Sequence, residues 1–556
     1  MRRLTPLLGL LLALTAVTAA AGPAGQGASP PAADFVLQQP VEPLPEPLAT
    51  AVAGIGAPAL AAHIAFLASP SLEGRGLGER GLDAALEYVA ASLALAGIAA
   101  PEGGDPAAAD AGGAGRFQVV PLREITGQQG AVTVVRESGG QTWSRSFAAG
   151  VDCLLPYMAP QSITAPVVFA GHGIREPGLG HDDYRGLDVQ DKIVLLLAGV
   201  PPGPEWQAKE LQGHWNDEDT DNRYVARLEL ARALGAVAVV AIERDEWGKK
   251  LEDGSEAIRR FFLPVDAGAA SGGEPRLAVV STVVAGALLG AEASTGDAPT
   301  AALHGLLPGV TVTLSASGSE RHLESRNVLG VVPGSDPGLR GEVVMIGAHL
   351  DHLGRSGDAI SPGADDNASG VAALLEIAKA FAASPVRPKR TVAFAFWTGE
   401  EEGKFGSGRY VRRPVWPLER TTYLNLDMIG HPWLPEEIAK LVADTGLEEG
   451  GELLTKMAPA DFIELGLPAG MSELDSALRR AARATGLALH FDRTDGKFGG
   501  SDYRDFARAG VPFIRFFGNF FPAYHEPGDT VDALDAEQVQ RVARLALATA
   551  WLLADR

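Results

Sequence analysis

Cysteine is almost absent from this 556-residue chain, Cys153 being the only one. A single thiol excludes an intrachain disulfide framework, a cysteine-based zinc site and an iron–sulfur cluster held by this chain alone. Any metal must therefore sit on histidine and carboxylate. Basic residues are also scarce: 47 Lys and Arg stand against 69 Asp and Glu, a formal net charge of −22. Nonspecific nucleic-acid binding needs clustered Lys and Arg to release counterions, and no such cluster occurs, so no nucleic-acid partner is expected. Hydrophobic residues make up 46% of the chain and charged residues 21%, which is a globular composition.

Long apolar runs are missing beyond the N-terminus. There, Arg2 and Arg3 precede the apolar stretch Leu7 to Val17, followed by Ala19, Ala20, Ala21 and then Gly22-Pro23. This is the layout of a secretory signal peptide over 1–21, and its apolar part is too short to span a bilayer. No Cys directly follows it, so nothing suggests a lipid anchor. The expectation is a soluble exported protein, periplasmic or extracellular, with no membrane span once the signal is removed. Residues 22–48, rich in Ala, Pro, Gly and Gln, read as a linker.

The rest of the chain has contrasting textures. From Pro58 to Ala99 the pattern predicts two amphipathic helices around a Gly-rich loop at Gly74 to Gly81. Between about 150 and 305, short β-type runs such as "APVVFAGHGI" and "DKIVLLLAGV" predict a small compact β-rich insert. From Ser325 onward apolar strands alternate with helices, including helices over Gly370 to Ala383, Glu473 to Thr485 and Asp535 to Ala554. Such strand–helix units predict an α/β fold with a mostly parallel central sheet and helices on both faces. The domain reading is therefore one discontinuous domain, 49–149 and 306–556, interrupted by the 150–305 insert.

Ligands of open α/β sheets bind outside the carboxyl ends of the strands. The residues at those ends are chemically uniform. After "EVVMIGA" comes His349-Leu350-Asp351, then Gly363-Ala364-Asp365-Asp366-Asn367. After "RTVAFAFW" come Glu400 and Glu401, "TTYLNL" runs into Asp427, and "VPFIRFFG" leads to Tyr524-His525. Carboxylates gathered at one edge repel each other unless a multivalent cation neutralises them. A His and carboxylate set without sulfur favours zinc or a similar first-row metal. Two His and at least three carboxylates exceed what one tetrahedral ion with an open position can use, which points to two metals sharing a bridging carboxylate. His349 and Asp351 are two apart in an extended segment, so Asp351 is placed to accept the second imidazole N–H of His349. Glu400 and Glu401, being adjacent, cannot easily chelate one ion together. One of them is free to act as general base.

At these residues the chain resembles the co-catalytic di-zinc aminopeptidase family, whose relatives include glutamate carboxypeptidases, glutaminyl cyclases and the transferrin receptor. The resemblance runs through "SPGADDNASG", "WTGEEEGKFGS", "LNLDMIG" and "AYHEPGDT", covering about residues 325–530. It implies a zinc-exopeptidase-like fold and two zinc ions, with Asp366 bridging, His349 and Asp427 completing one site, and Glu401 and His525 completing the other. It further implies Glu400 as general base, Tyr524 as a group that polarises the scissile carbonyl, and a cis peptide at Asp366-Asn367. Ser501 and Asp502 match a stretch that lies near the substrate in relatives. The 150–305 insert resembles a protease-associated domain.

The function so implied is an exported di-zinc exopeptidase removing N-terminal residues from peptides. A glutamate-releasing carboxypeptidase, with Arg409, Arg412, Arg413 and Arg420 as candidates for an acidic-residue pocket, and a non-catalytic receptor-like binding protein are the alternatives. The oligomeric state is not legible in the sequence.

Overall fold

The structure, a computed structural model, describes residues 34–37, 42–102, 115–156, 158–215, 224–243, 260–265, 276–290, 303–447, 450–497 and 499–556. The expected signal peptide, 1–21, lies outside the described residues. Two compact units are present. Among the described residues, one comprises those up to Val120 together with those from Glu324 to Arg556, and the other those from Pro121 to Leu323.

In the first unit the strands Val343–His349, Thr391–Trp397, Thr421–Asp427 and Phe513–Phe517 form a parallel core, with Val343–His349 between Thr391–Trp397 and Thr421–Asp427. Val343–His349 and Thr391–Trp397 are buried at every position. That is why they read in sequence as continuous apolar runs without the alternation of a one-sided strand. Antiparallel strand pairs in this sheet include Phe462–Leu467 beside Phe513–Phe517, residues 328–332 beside Thr391–Trp397, and the short Phe35–Val36 strand beside Ala488–Arg493. The strands Phe462–Leu467 and Ala488–Arg493 run parallel to each other, in a region for which the sequence pattern predicts no strands.

Helices cover both faces. On one, Tyr410, Tyr503 and Phe506 from the Phe405–Arg412 and Tyr503–Arg508 helices pack over Met345, Ala393, Trp397 and Tyr423. On the other, Gly370–Ala383 packs against the sheet and against Ala57–Leu67 and Ala536–Ala554. The last helix starts where expected because the Asp535 carboxylate accepts from the backbone N–H groups of Glu537 and Gln538, a helix N-cap. Among the described residues no single helix is long and apolar enough to cross a membrane.

The second unit has parallel strands Gln161–Phe169, Ile193–Leu197, Ala238–Ile242 and Leu277–Val280, with Cys153–Leu154 antiparallel at the edge. Apolar clusters lie around Val167, Leu195 and Val240 and around Val168, Val194 and Val239, so alternate residues of each strand feed different faces. The expected insert, 150–305, falls inside this unit, whose limits lie further out. Residues 131–138 pair with Gln141–Ala148 through a tight turn at Gly139-Gly140, both at positive φ, as a two-residue hairpin connection of this kind requires.

Candidate metal centre

The four parallel strands deliver their carboxyl ends to one edge of the sheet, and the next strand after Val343–His349 lies on its opposite side from Thr421–Asp427. That reversal opens the crevice where ligands of such sheets bind. His349 ends one strand and Asp427 another. Between them the Ala364–Ser369 turn carries Asp366, followed by the cis peptide Asp366–Asn367. The turn is held from all sides. Asn367 donates to the Leu426 carbonyl at 2.9 Å and accepts from the Gly370 and Met428 amides. The buried Asp529 carboxylate accepts from the amides of Asp365 and Asp366 at 2.8 and 3.1 Å. Asp365 turns away from the cluster, accepting from the Gly430 amide and facing His431 Nδ1, both at 2.7 Å.

Asp366 is thereby left with its two oxygens facing two different histidines. Oδ1 lies 3.3 Å from His349 Nε2, and Oδ2 lies 3.1 Å from His525 Nε2. Each imidazole nitrogen has one further carboxylate oxygen beside it: Asp427 Oδ1 at 3.2 Å from His349 and Glu401 Oε2 at 3.2 Å from His525. The result is two N,O,O trios joined through one carboxylate.

Donor atoms around a tetrahedral zinc with bonds of about 2.0 Å stand roughly 3.3 Å apart, and the N–O distances within each trio match that spacing. His525 Nε2 is buried and makes no hydrogen bond of good geometry with its two oxygen neighbours. One ligand atom each from His349, Asp366 and Glu401 also falls within 4.8 Å of the others.

Electrostatics agree. Burial opposes charge on His349, yet Asp427 and Asp366 outweigh it and raise its pKa well above the usual value. His525 is raised to about 11, burial being overcome by Glu401 and Asp366. Glu401, against its own burial and the repulsion of Asp366, is held down at about 2 by His525 and His352. The cluster thus favours positive charge at the two places the trios define.

Glu400 belongs to neither trio. Burial, with Asp502 and Glu401 adding to it and Lys404 and His349 opposing, pushes it up to about 8. Lys404 Nζ lies 3.2 Å from its Oε1 without forming an aligned hydrogen bond. Tyr524 is half-buried and stacks on His525 with ring centroids 3.7 Å apart. Burial and then Asp366 and Glu401 raise its hydroxyl above the ordinary phenol range.

Ser501 Oγ accepts from Asn425 Nδ2 at 2.9 Å, the end of a buried chain running through Tyr423 to Trp397 Nε1. Asp502 is buried, its oxygens make no hydrogen bond of good geometry, and burial raises it to about 7. Asp351 differs from its expected contact. His349 Nδ1 faces the Asp351 backbone carbonyl at 3.2 Å, while the Asp351 carboxylate accepts from the amides of Glu400 and Glu401 at 3.1 and 3.2 Å. The chain turns after His349, so the extended spacing that would put both side chains on one face does not continue.

Three residues of the site are not apparent from the sequence pattern. His352 is buried, with Nδ1 2.7 Å from Glu401 Oε1. Asp529 holds the Asp366 turn, and Arg75 reaches the same turn from the N-terminal Gly-rich loop. His352, a second histidine three residues after the first, is the one visible signal.

The chain is similar to several known proteins. Over 403 residues the chain is 27% identical to "Probable lipoprotein aminopeptidase LpqL" of Mycobacterium tuberculosis, an alignment covering 68% of this chain and 64% of that protein. It is 29% identical over 248 residues to "Leucine aminopeptidase 2" of Arthroderma otae, covering 41% and 44%. The chain therefore spans less than two thirds of the length of these curated relatives. The fold is similar to that of a solved aminopeptidase from Aneurinibacillus sp. strain AM-1, with a TM-score of 0.50, 20% identity, and coverage of 92% of this chain and 96% of that one. The family profile described as Peptidase family M28 matches residues 327–550, the stretch that supplies both trios and Glu400.

Proposed function

We propose that this chain is a metal-dependent aminopeptidase that holds two zinc ions and hydrolyses the N-terminal peptide bond of its substrates. The observation that carries the reading is the pair of ligand trios sharing Asp366, with an unliganded Glu400 beside them. His349, Asp427 and Asp366 Oδ1 would hold one ion, and His525, Glu401 and Asp366 Oδ2 the other. When bound, such ions act as Lewis acids on the scissile carbonyl and lower the pKa of water.

Glu400 then accepts the proton of the attacking water as its oxygen bonds to the carbonyl carbon, and delivers that proton to the leaving amide nitrogen as the C–N bond breaks. Its burial suits both steps, because a carboxylate in low dielectric is a stronger base than one in water. The Tyr524 hydroxyl, beside the same carboxylates, donates to the carbonyl oxygen as negative charge builds there. Asp351 fixes the backbone that aims Glu400 and Glu401.

Two of the four arginines offered for the carboxypeptidase alternative, Arg409 and Arg420, do not support it. Arg409 Nε donates to the Val119 carbonyl at 3.1 Å. Arg420 precedes the Thr421–Asp427 strand, at the end of the sheet away from His349. We further read the N-terminus as an export signal and the second unit as a protease-associated-like insert. Replacing Glu400 with Gln should abolish cleavage of aminoacyl anilides while zinc content stays at the unaltered level. Near-normal turnover by that variant, or preferential cleavage of N-blocked dipeptides by the intact enzyme, would overturn the assignment.

A further inference from the structure

Arg75 is fully buried, yet the hydrogen bonds of its guanidinium go to backbone carbonyls and not to a carboxylate. Nε donates to Leu350 O at 2.8 Å, and one terminal nitrogen to Leu67 O at 2.6 Å and Pro362 O at 2.8 Å. The other donates to Gly363 O at 2.9 Å and Asp366 O at 3.4 Å. The fork thus reaches both the loop after His349 and the turn that carries Asp366, two segments that supply different ligands. The backbone around Arg75 adds two bonds, from the His352 amide to Arg75 O and from the Gly354 amide to Gly74 O.

Getting an arginine there requires an unusual local path. Glu73, Gly74 and Arg75 all have positive φ, and a Cβ on Gly74 would stand 2.3 Å from Ser361 O and 2.7 Å from Gly354 O. Non-glycine residues enter this region only at a cost, which the surrounding bonds must offset. A buried charge without a paired carboxylate is also costly. Burial pulls the pKa of Arg75 down to about 10, with Asp366, Asp529, Asp351 and Glu401 acting through space to limit the fall. The guanidinium therefore stays charged near neutral pH.

We propose that Arg75 is a positioning residue that holds the His349 loop and the Asp366 turn in ligand geometry before any metal arrives. A planar fork with five fixed donors can join carbonyls of two loops at once, which a lysine ammonium on a flexible stem cannot. This inference rests on the reading of His349, Asp366, Glu401, Asp427 and His525 as metal ligands.

The test uses the full chain stripped of metal and titrated with zinc against a chromophoric competitor. Arg75→Lys and Arg75→Met should unfold cooperatively without metal, yet bind zinc more weakly by on the order of 10- to 100-fold, the usual effect of losing a group that orients ligands. Arg75→Lys should be as impaired as Arg75→Met, since keeping the charge does not restore the fork. A variant that loses only thermal stability, with unchanged zinc affinity in the folded fraction, overturns the proposal. If the variants do not fold, hydrogen exchange on the intact protein decides. The amides of His352, Gly354, Asp365 and Asp366 should be equally protected with and without zinc, and protection that appears only with zinc overturns preorganisation. Intact protein that binds no zinc overturns the ligand reading, and the role of Arg75 with it.

Discussion

Replacing Asp529 tests whether the Asp366 turn is held from outside the ligand set. The Asp529 carboxylate is fully buried and accepts from two backbone amides, those of Asp365 and Asp366, at 2.8 and 3.1 Å. Asp529→Ala leaves both amides without an acceptor in a place water does not reach, at about 1–3 kcal/mol for each buried unsatisfied group, so about 2–6 kcal/mol altogether. Asp529→Asn keeps one acceptor oxygen and sets an NH2 group against the second amide, so it forfeits one bond, about 1–3 kcal/mol. The readout is hydrogen exchange of the buried strands Val343–His349 and Thr391–Trp397 in metal-free protein under mild urea, which reports opening of this unit without assuming two-state behaviour of the whole chain. The expected order of stability is intact protein, then Asn, then Ala. Equal behaviour of the Ala and Asn variants, or a loss below about 1 kcal/mol for Ala, would refute the reasoning that the two amides depend on this carboxylate.

Packing and charge elsewhere give two more expected outcomes. A Cβ on Gly347 would meet the Tyr423 hydroxyl at 2.4 Å and Trp397 Nε1 at 2.6 Å, so Gly347→Ala should separate these hydrogen-bonded groups and destabilise the unit by roughly 1–3 kcal/mol, measurable by denaturant unfolding. In the other unit Glu124 pairs with Arg260 at 2.7 Å and with Arg321 at 2.6 Å, and against its burial these partners hold its pKa below the usual value. A depressed folded pKa means stability that is present above the unfolded value and lost as pH falls through the folded one. Glu124→Gln should therefore weaken this unit at neutral pH and converge with the intact protein in acid; a difference that grows on acidification would contradict the pairing.

Much of the site is legible in the sequence because buried parallel strands appear as unbroken apolar runs, and the first polar residues after such runs emerge at one edge of the sheet. That reasoning brings His349, Glu400, Glu401, Asp427 and His525 together without coordinates. The 1–21 signal segment lies outside the described residues and stays an expectation. What the sequence conceals is support that acts through the backbone. Arg75 reaches Gly363 across 288 positions and binds only its carbonyl, which leaves no pattern of residue types. Asp529 likewise serves two amides, and a lone Asp after Pro-Gly carries no sign of that. The Asp351 carboxylate is misread for a simpler reason: period-two spacing holds only while the strand lasts, and the strand ends at His349. Phe462–Leu467 and Ala488–Arg493 are hidden among mixed polar residues, since these outer strands lack the uniform burial of the central ones.

The central claim is that one carboxylate, Asp366, joins two metal positions. Zinc bound per chain, measured by elemental analysis after equilibration with limiting free zinc, tests it most directly. The account predicts two ions for the intact protein, one for His349→Ala, one for His525→Ala, and the loss of tight binding at both positions for Asp366→Ala. A single ion in the intact protein, or two ions retained by Asp366→Ala, would contradict it.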